Sequence, residues 1–185
     1  MHEWLPELVS WAWARHHNIL SWYVRPLFLL PFCFFAWRRS WTGTSGTVLA
    51  MMSSIAWFPA PRTPDPAVTE MLRVEEEYLL GEWTIWKVAI ALLIPLVFVG
   101  IGAVLWRRSL GCALVVINAA ILFKIVWTFA VDGEGDGALA HLPAALIGLA
   151  VVDAVLIGAG HRLRRRGATT ATTTEPGSHA AVEVR

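Results

Sequence analysis

The chain has 185 residues, of which 56% are hydrophobic and only 16% charged, with 11 Trp and 8 Phe against 2 Tyr. A soluble domain carries about a quarter charged residues, so this composition excludes an ordinary water-soluble globule and points to burial by lipid. The net charge of +1, from 15 basic and 14 acidic residues, hides a segregation along the chain. The Lys/Arg residues sit in short clusters and form no basic face, so nucleic acid is not an expected partner.

Residues 1–18 read as a short interfacial helix. The stretch is too short to cross a hydrocarbon core of about 30 Å. Trp4, Trp11 and Trp13 suit the headgroup layer, where a ring with one polar edge sits well. Glu3 and Glu7 stand where a signal peptide carries Lys or Arg, so the segment reads as part of the mature chain.

The first span is expected over 19–37, interrupted by Pro26 and Pro31 and kinked there. The second is expected over 41–58. Its Gly46, Ala50 and Ser54, spaced by four, form a small-residue ridge of the kind that brings helix backbones close in lipid. Asp65-Pro66 reads as the N-cap and first turn of an external amphipathic helix over 66–80, ended by Gly81. The third span is expected over 83–106, the fourth over 110–131 and the fifth over 138–160. Ala150, Ala154 and Gly158 make a second small-residue ridge. Residues 161–185 run from an arginine cluster into a Thr- and Ala-rich stretch that reads as a disordered tail. The expected fold class is therefore an all-α integral membrane protein, a bundle of about five transmembrane helices with an interfacial N-terminal helix and one external helix.

Orientation follows from charge. Arg38-Arg39, Arg107-Arg108 and the run from Arg162 to Arg166 alternate with acidic loops, and five spans put all three clusters on one side. The positive-inside rule makes that side cytoplasmic, with the N-terminus outside and the C-terminus inside. The tetrapeptide Trp37-Arg-Arg-Ser recurs as Trp106-Arg-Arg-Ser, each between an inward and an outward helix. This pattern fits either a duplicated hairpin or two independent solutions to the same membrane boundary.

Polar groups inside spans are costly and mark candidate sites. At about 1.5 Å per residue, Arg25 and Lys124 both lie roughly 10 Å below the outer boundary, and His141 about one turn deep. Glu82, His16 and His17 lie at the boundary itself. Arg25, Glu82, Lys124 and His141 are thus expected to converge on an outward-facing cationic pocket. The competing reading is that Arg25 and Lys124 snorkel to the headgroups. Asn118 and Asp153 fall at similar depth and form an expected intramembrane polar pair.

No cofactor or metal site is assigned. Asp132-Gly-Glu-Gly-Asp-Gly imitates half of a calcium loop, but Pro143 stands where a bidentate acid is required. His16 and His17 with Glu75 to Glu77 give a weak transition-metal pattern. One histidine near the spans, His141, does not make a haem pair. Cys33 and Cys112 read as small buried hydrophobes. No catalytic signature occurs, so no catalytic residue is named. The favoured expectation is an accessory or oligomeric membrane subunit whose partners are the bilayer and a second copy or another membrane protein. The alternative is a small transporter or binding protein using the cationic pocket for an anionic or lipid-like solute. A third reading is a membrane enzyme acting on a lipid headgroup with Glu82 or His141 as base.

Overall fold

A computed structural model describes the backbone of residues 4–132 and 136–172, with the side chains of 5–6, 131–132, 136–141 and 167–172 outside the described residues. The described residues are helical, with no strands. Helix α1 is Trp4–His16. The first apolar segment is two helices, α2 (Ile19–Leu27) and α3 (Leu29–Trp37), meeting at Phe28. Pro31 has no N–H to give the Leu27 carbonyl, and the Phe28 N–H turns to Arg25 O at 3.1 Å. The break therefore has the cause the prolines predict.

Helix α4 (Trp41–Ser53) is followed by a short 3-10 turn at Ser54–Ala56. Then come α5 (Pro66–Leu80), α6 (Ile85–Trp106), α7 (Leu110–Asp132) and α8 (Asp136–Thr172). Four segments are long and apolar enough to cross a membrane: Ile19–Trp37, Ile85–Trp106, Leu110–Ala130 and Leu142–Arg166. The expected second span is not among them. At 13 residues, α4 is only about 20 Å long. Its Thr42, Gly43, Thr44, Ser45, Gly46 and Thr47 dilute the apolar character that a span needs. Helix α8 continues beyond Gly160, where the disordered tail was expected to begin, and runs to Thr172. Arginine is a good helix former, so the polar turn extends a helix already nucleated by packing. The rest of the expected tail, 173–185, and the centre of the acidic turn, 133–135, lie outside the described residues.

One core joins α3, α6, α7 and α8 through Phe32, Cys33, Ala36, Ile101, Leu105, Ala113, Ile117, Val152 and Leu156. Outside it, α6 leaves Ile85, Leu92, Leu96 and Val99 exposed. Water would penalise such a surface; lipid would not. A second cluster, Trp22, Val68, Leu72 and Ala144, fastens α5 across the starts of α2 and α8. Asp65 caps α5 by accepting from the Ala67 N–H at 2.8 Å. On its exposed face Arg73 pairs with Glu70 and Glu77, and the Arg73 hydrogen bond holds the Glu70 carboxyl below its usual range.

The repeated tetrapeptide folds the same way twice. Arg39 and Arg108 both have positive φ, 55° and 63°. Ser40 N–H donates to Phe35 O and Arg39 N–H to Ala36 O; Ser109 N–H donates to Val104 O and Arg108 N–H to Leu105 O. Each is the Schellman ending of a helix, and each serine then caps the next helix, accepting from Gly43 N–H and Cys112 N–H. A left-handed arginine costs about 1 kcal/mol. The side chains explain why arginine rather than glycine occupies these positions. Arg39 Nε donates to Trp106 O at 3.1 Å, and the Arg108 guanidinium lies 4.9 Å from the Trp37 ring. The two corners thus hold each other, at one end of the bundle.

The small-residue ridges do not supply the close helix approaches within the chain. The close approaches occur elsewhere. Gly148 of α8 is buried against Pro26, and Gly43 of α4 faces the Phe35 ring, with no room for a Cβ at either. Gly46, Ala150 and Ala154 are exposed, and a Cβ at Gly46 or Gly158 would meet nothing. Both helices have small residues on several faces. The choice fell to the face that met a rigid partner ring.

Candidate functional site

The site lies at the end opposite the arginine corners, where α1, α2, α5, α7 and the start of α8 meet. The turn between α1 and α2 brings His16 back over Arg25. Asn18 makes that turn rigid: its side chain caps α2 by accepting from Leu20 N–H and donates to Pro59 O at 2.9 Å. His16 is 4% exposed and packs against the Trp13 and Trp22 rings. Trp22 Nε1 donates to His16 O.

Arg25 reaches back to the His16 ring, with one guanidinium nitrogen 3.1 Å from Nδ1. Another guanidinium nitrogen lies 3.5 Å from Nε2, and because a guanidinium has only donors, a ring nitrogen accepts and the ring is neutral. Burial first, and then the neighbouring Arg25, push the His16 pKa down to about 4. Nε2 faces Glu75 Oε2 at 4.0 Å. That pairing becomes ionic only if the ring is protonated, so at neutral pH it is a polar contact and not a salt bridge.

Below this group is a cavity of about 310 Å³. Arg25 and Lys124 line it with Trp22, Leu29, Phe98 and Phe129, among other apolar side chains. Lys124 keeps exposed surface although it is set among these residues. No carboxylate of the described residues reaches ion-pair distance of its ammonium, and Glu75 attracts it from farther off. The cavity is therefore mostly apolar with two cationic groups, a suitable shape for an amphiphile and a suitable charge for an anion.

Of the four residues expected to converge, Arg25 and Lys124 share this cavity. Glu82 does not: Gly81 ends α5 in extended backbone, which leaves Glu82 exposed in the connector to α6. The side chain of His141 lies outside the described residues, although Leu142 and Ala144 of the same helix line the cavity. The acid that reaches the cluster is Glu75. A signal for it exists in the sequence, because Glu75 follows Val68 and Leu72 at helical spacing and so lies on the buried face of α5. Asn118 and Asp153 meet, with Asn118 Nδ2 donating to Asp153 Oδ1 at 3.0 Å and to Leu114 O at 2.9 Å.

Among the described residues no three His, Cys, Asp or Glu side chains group to hold a metal. Cys33 is buried and Cys112 exposed, and both are free. No family model, curated protein or solved structure matches the chain.

Proposed function

We propose that this is a membrane-embedded binding or transport protein whose cavity takes an anionic amphiphile, with the acidic group against Arg25 and Lys124 and the hydrocarbon along Leu29, Phe98 and Phe129. The observation that carries this reading is the Lys124 ammonium at an apolar cavity with no carboxylate at ion-pair distance among the described residues, Glu75 acting on it only from farther off. A cation held in an apolar wall without such a partner is costly, and an incoming anion offsets that cost. The arginine corners lie on the cytoplasmic side in this reading, and the cavity opens toward the outside. Connectivity supports a fifth crossing by α4. Ser40 lies at the arginine end and Pro59 at the other, so α4, about 20 Å long, and the 3-10 turn after it run back along the bundle.

The test uses oleate and oleyl alcohol, with a brominated oleate as quencher of Trp22. Oleate binds the wild type, the alcohol binds at least tenfold more weakly, and Lys124→Ala removes the difference. If Lys124→Ala and Arg25→Gln both leave oleate binding unchanged in folded protein, the cavity reading fails.

A second reading, association into an oligomer or with another membrane subunit, is favoured by the outward placement of Ala150 and Ala154 on α8 and Gly46 on α4. Small residues on a lipid-facing surface permit close helix contact between chains. Cross-linking in native membranes that yields only monomer, with Ala150→Leu silent, would count against it.

A further inference from the structure

The two Trp-Arg-Arg-Ser corners share a backbone but not a surface. At the first, the Trp41 and Trp106 rings pack 4.4 Å apart and Arg39 donates to the Trp106 carbonyl, so the corner is filled. At the second, the residue matching Trp41 is Leu110, and the next is Gly111, where a Cβ would meet nothing. A crevice of about 660 Å³ opens there, between the start of α7 and the end of the apolar part of α8. It is lined by Trp37, Arg108, Ser109, Gly111, Leu163 and Arg164, among others. Neither guanidinium has a carboxylate partner among the described residues.

We infer that this crevice is a binding site for the phosphodiester headgroup of an anionic membrane lipid. The inference rests on the membrane reading above and is independent of the cavity at the other end. Two arginines offer planar donor forks that match phosphate oxygens. Arg108 is held over the Trp37 face, so little side-chain freedom is lost on binding. The crevice sits at the end of the spans, at headgroup level, and Leu110 and Leu163 give the first acyl carbons an apolar wall. Basic crevices between helix ends at a membrane surface are the recurrent sites for such headgroups.

Native mass spectrometry on the Lys124→Ala background, where lipid in the cavity does not count, tests this. Protein in phosphatidylcholine nanodiscs is titrated with phosphatidylglycerol, and separately with inorganic phosphate. One phosphatidylglycerol stays bound, Arg108→Gln with Arg164→Gln weakens it at least tenfold, and phosphate does not compete at millimolar concentration. Arg38→Gln with Arg107→Gln removes the same charge away from the crevice and leaves that lipid in place. Equal loss in both double variants would show diffuse attraction and overturn the site, as would retention in the crevice double variant. Binding of free phosphate as tight as that of the lipid would overturn the lipid assignment. Failure of the chain to enter nanodiscs would overturn the membrane reading and the crevice with it.

Discussion

The two ends of this bundle handle charge in opposite ways. At the arginine end the charged groups stay outside, and the work of ending and restarting helices is done by backbone hydrogen bonds and serine caps. Arg38, Arg39, Arg107 and Arg108 are exposed, and the corners repeat with the same donors and acceptors. At the other end charge is drawn in. His16 is buried, Arg25 half-buried, and Lys124 set into an apolar cavity. Charge placed at an edge tells the chain where a membrane boundary is. Charge placed inside, without a full set of partners, marks where a ligand can add to stability.

The largest expected difference between the ends is in acid. The unfolded chain protonates His16 near its ordinary pKa of 6.5, whereas the folded chain does so only near about 4. Between those values unfolding takes up a proton, so stability is full above about 6.5, falls as the pH drops through this window, and levels off below about 4. The facing charges are Arg25, His17, Lys124 and Glu75. The predicted loss is about 3 kcal/mol. Thermal unfolding in detergent from pH 7 to 4 measures it, and His16→Gln flattens the curve. An equally steep curve in that variant would place the sensitive group elsewhere.

Lys124→Ile gives α7 the residue found 69 positions earlier, Ile55 in the 3-10 turn after α4. Loss of a charge-assisted contact of about 2 kcal/mol weakens oleate binding roughly thirtyfold. Arg39→Ala, at the opposite end, leaves that affinity unchanged. Equal effects would erase the contrast between the ends.

Between the ends, Asn118→Leu copies Leu49 of α4 and strands the Asp153 carboxyl without its donor. Unfolding by denaturant should register a cost of about 1–3 kcal/mol. A neutral result would mean that Asp153 finds another donor.

At the arginine end, Ser40→Ala and Ser109→Ala each remove a cap worth about 1 kcal/mol. Ser40, at 3.2 Å from its donor, should cost slightly more than Ser109, at 3.4 Å. A much larger loss at one corner would show that the two do not share one design. The smallest effect belongs to Arg73→Ala. Its pairs with Glu70 and Glu77 are exposed, so a melting shift of no more than about a degree is expected.

Much of the outline was legible in advance because local chemistry sets it. Pro31 removes one hydrogen bond whatever surrounds it, so the break at Phe28 needs no tertiary information. Asp65 before Pro66 and Gly81 after Leu80 bound α5 in the same local way. Arg25 and Lys124 stood out because charge in an apolar run has few explanations. Glu82 misled because it lies at the expected depth, and depth says nothing about direction. Glu75 was grouped with His16 only as a weak metal pattern and not with Arg25 and Lys124, because its charge outweighed its position on the apolar face of α5.

The sequence by itself determined that the chain is helical, four of the five segments read as spans, the proline break in the first of them and which end gathers the arginines. These are consequences of periodicity, chain length and missing donors, all properties of neighbours along the chain. Only the tertiary structure decided that Gly148 and not Gly158 meets another helix. It alone set the His16 ring between Arg25 and Glu75, and it alone left one arginine corner filled and the other open. Those outcomes depend on which side chain fills a given space, and small residues on several faces of α4 and α8 leave that choice to packing against residues far away in the sequence.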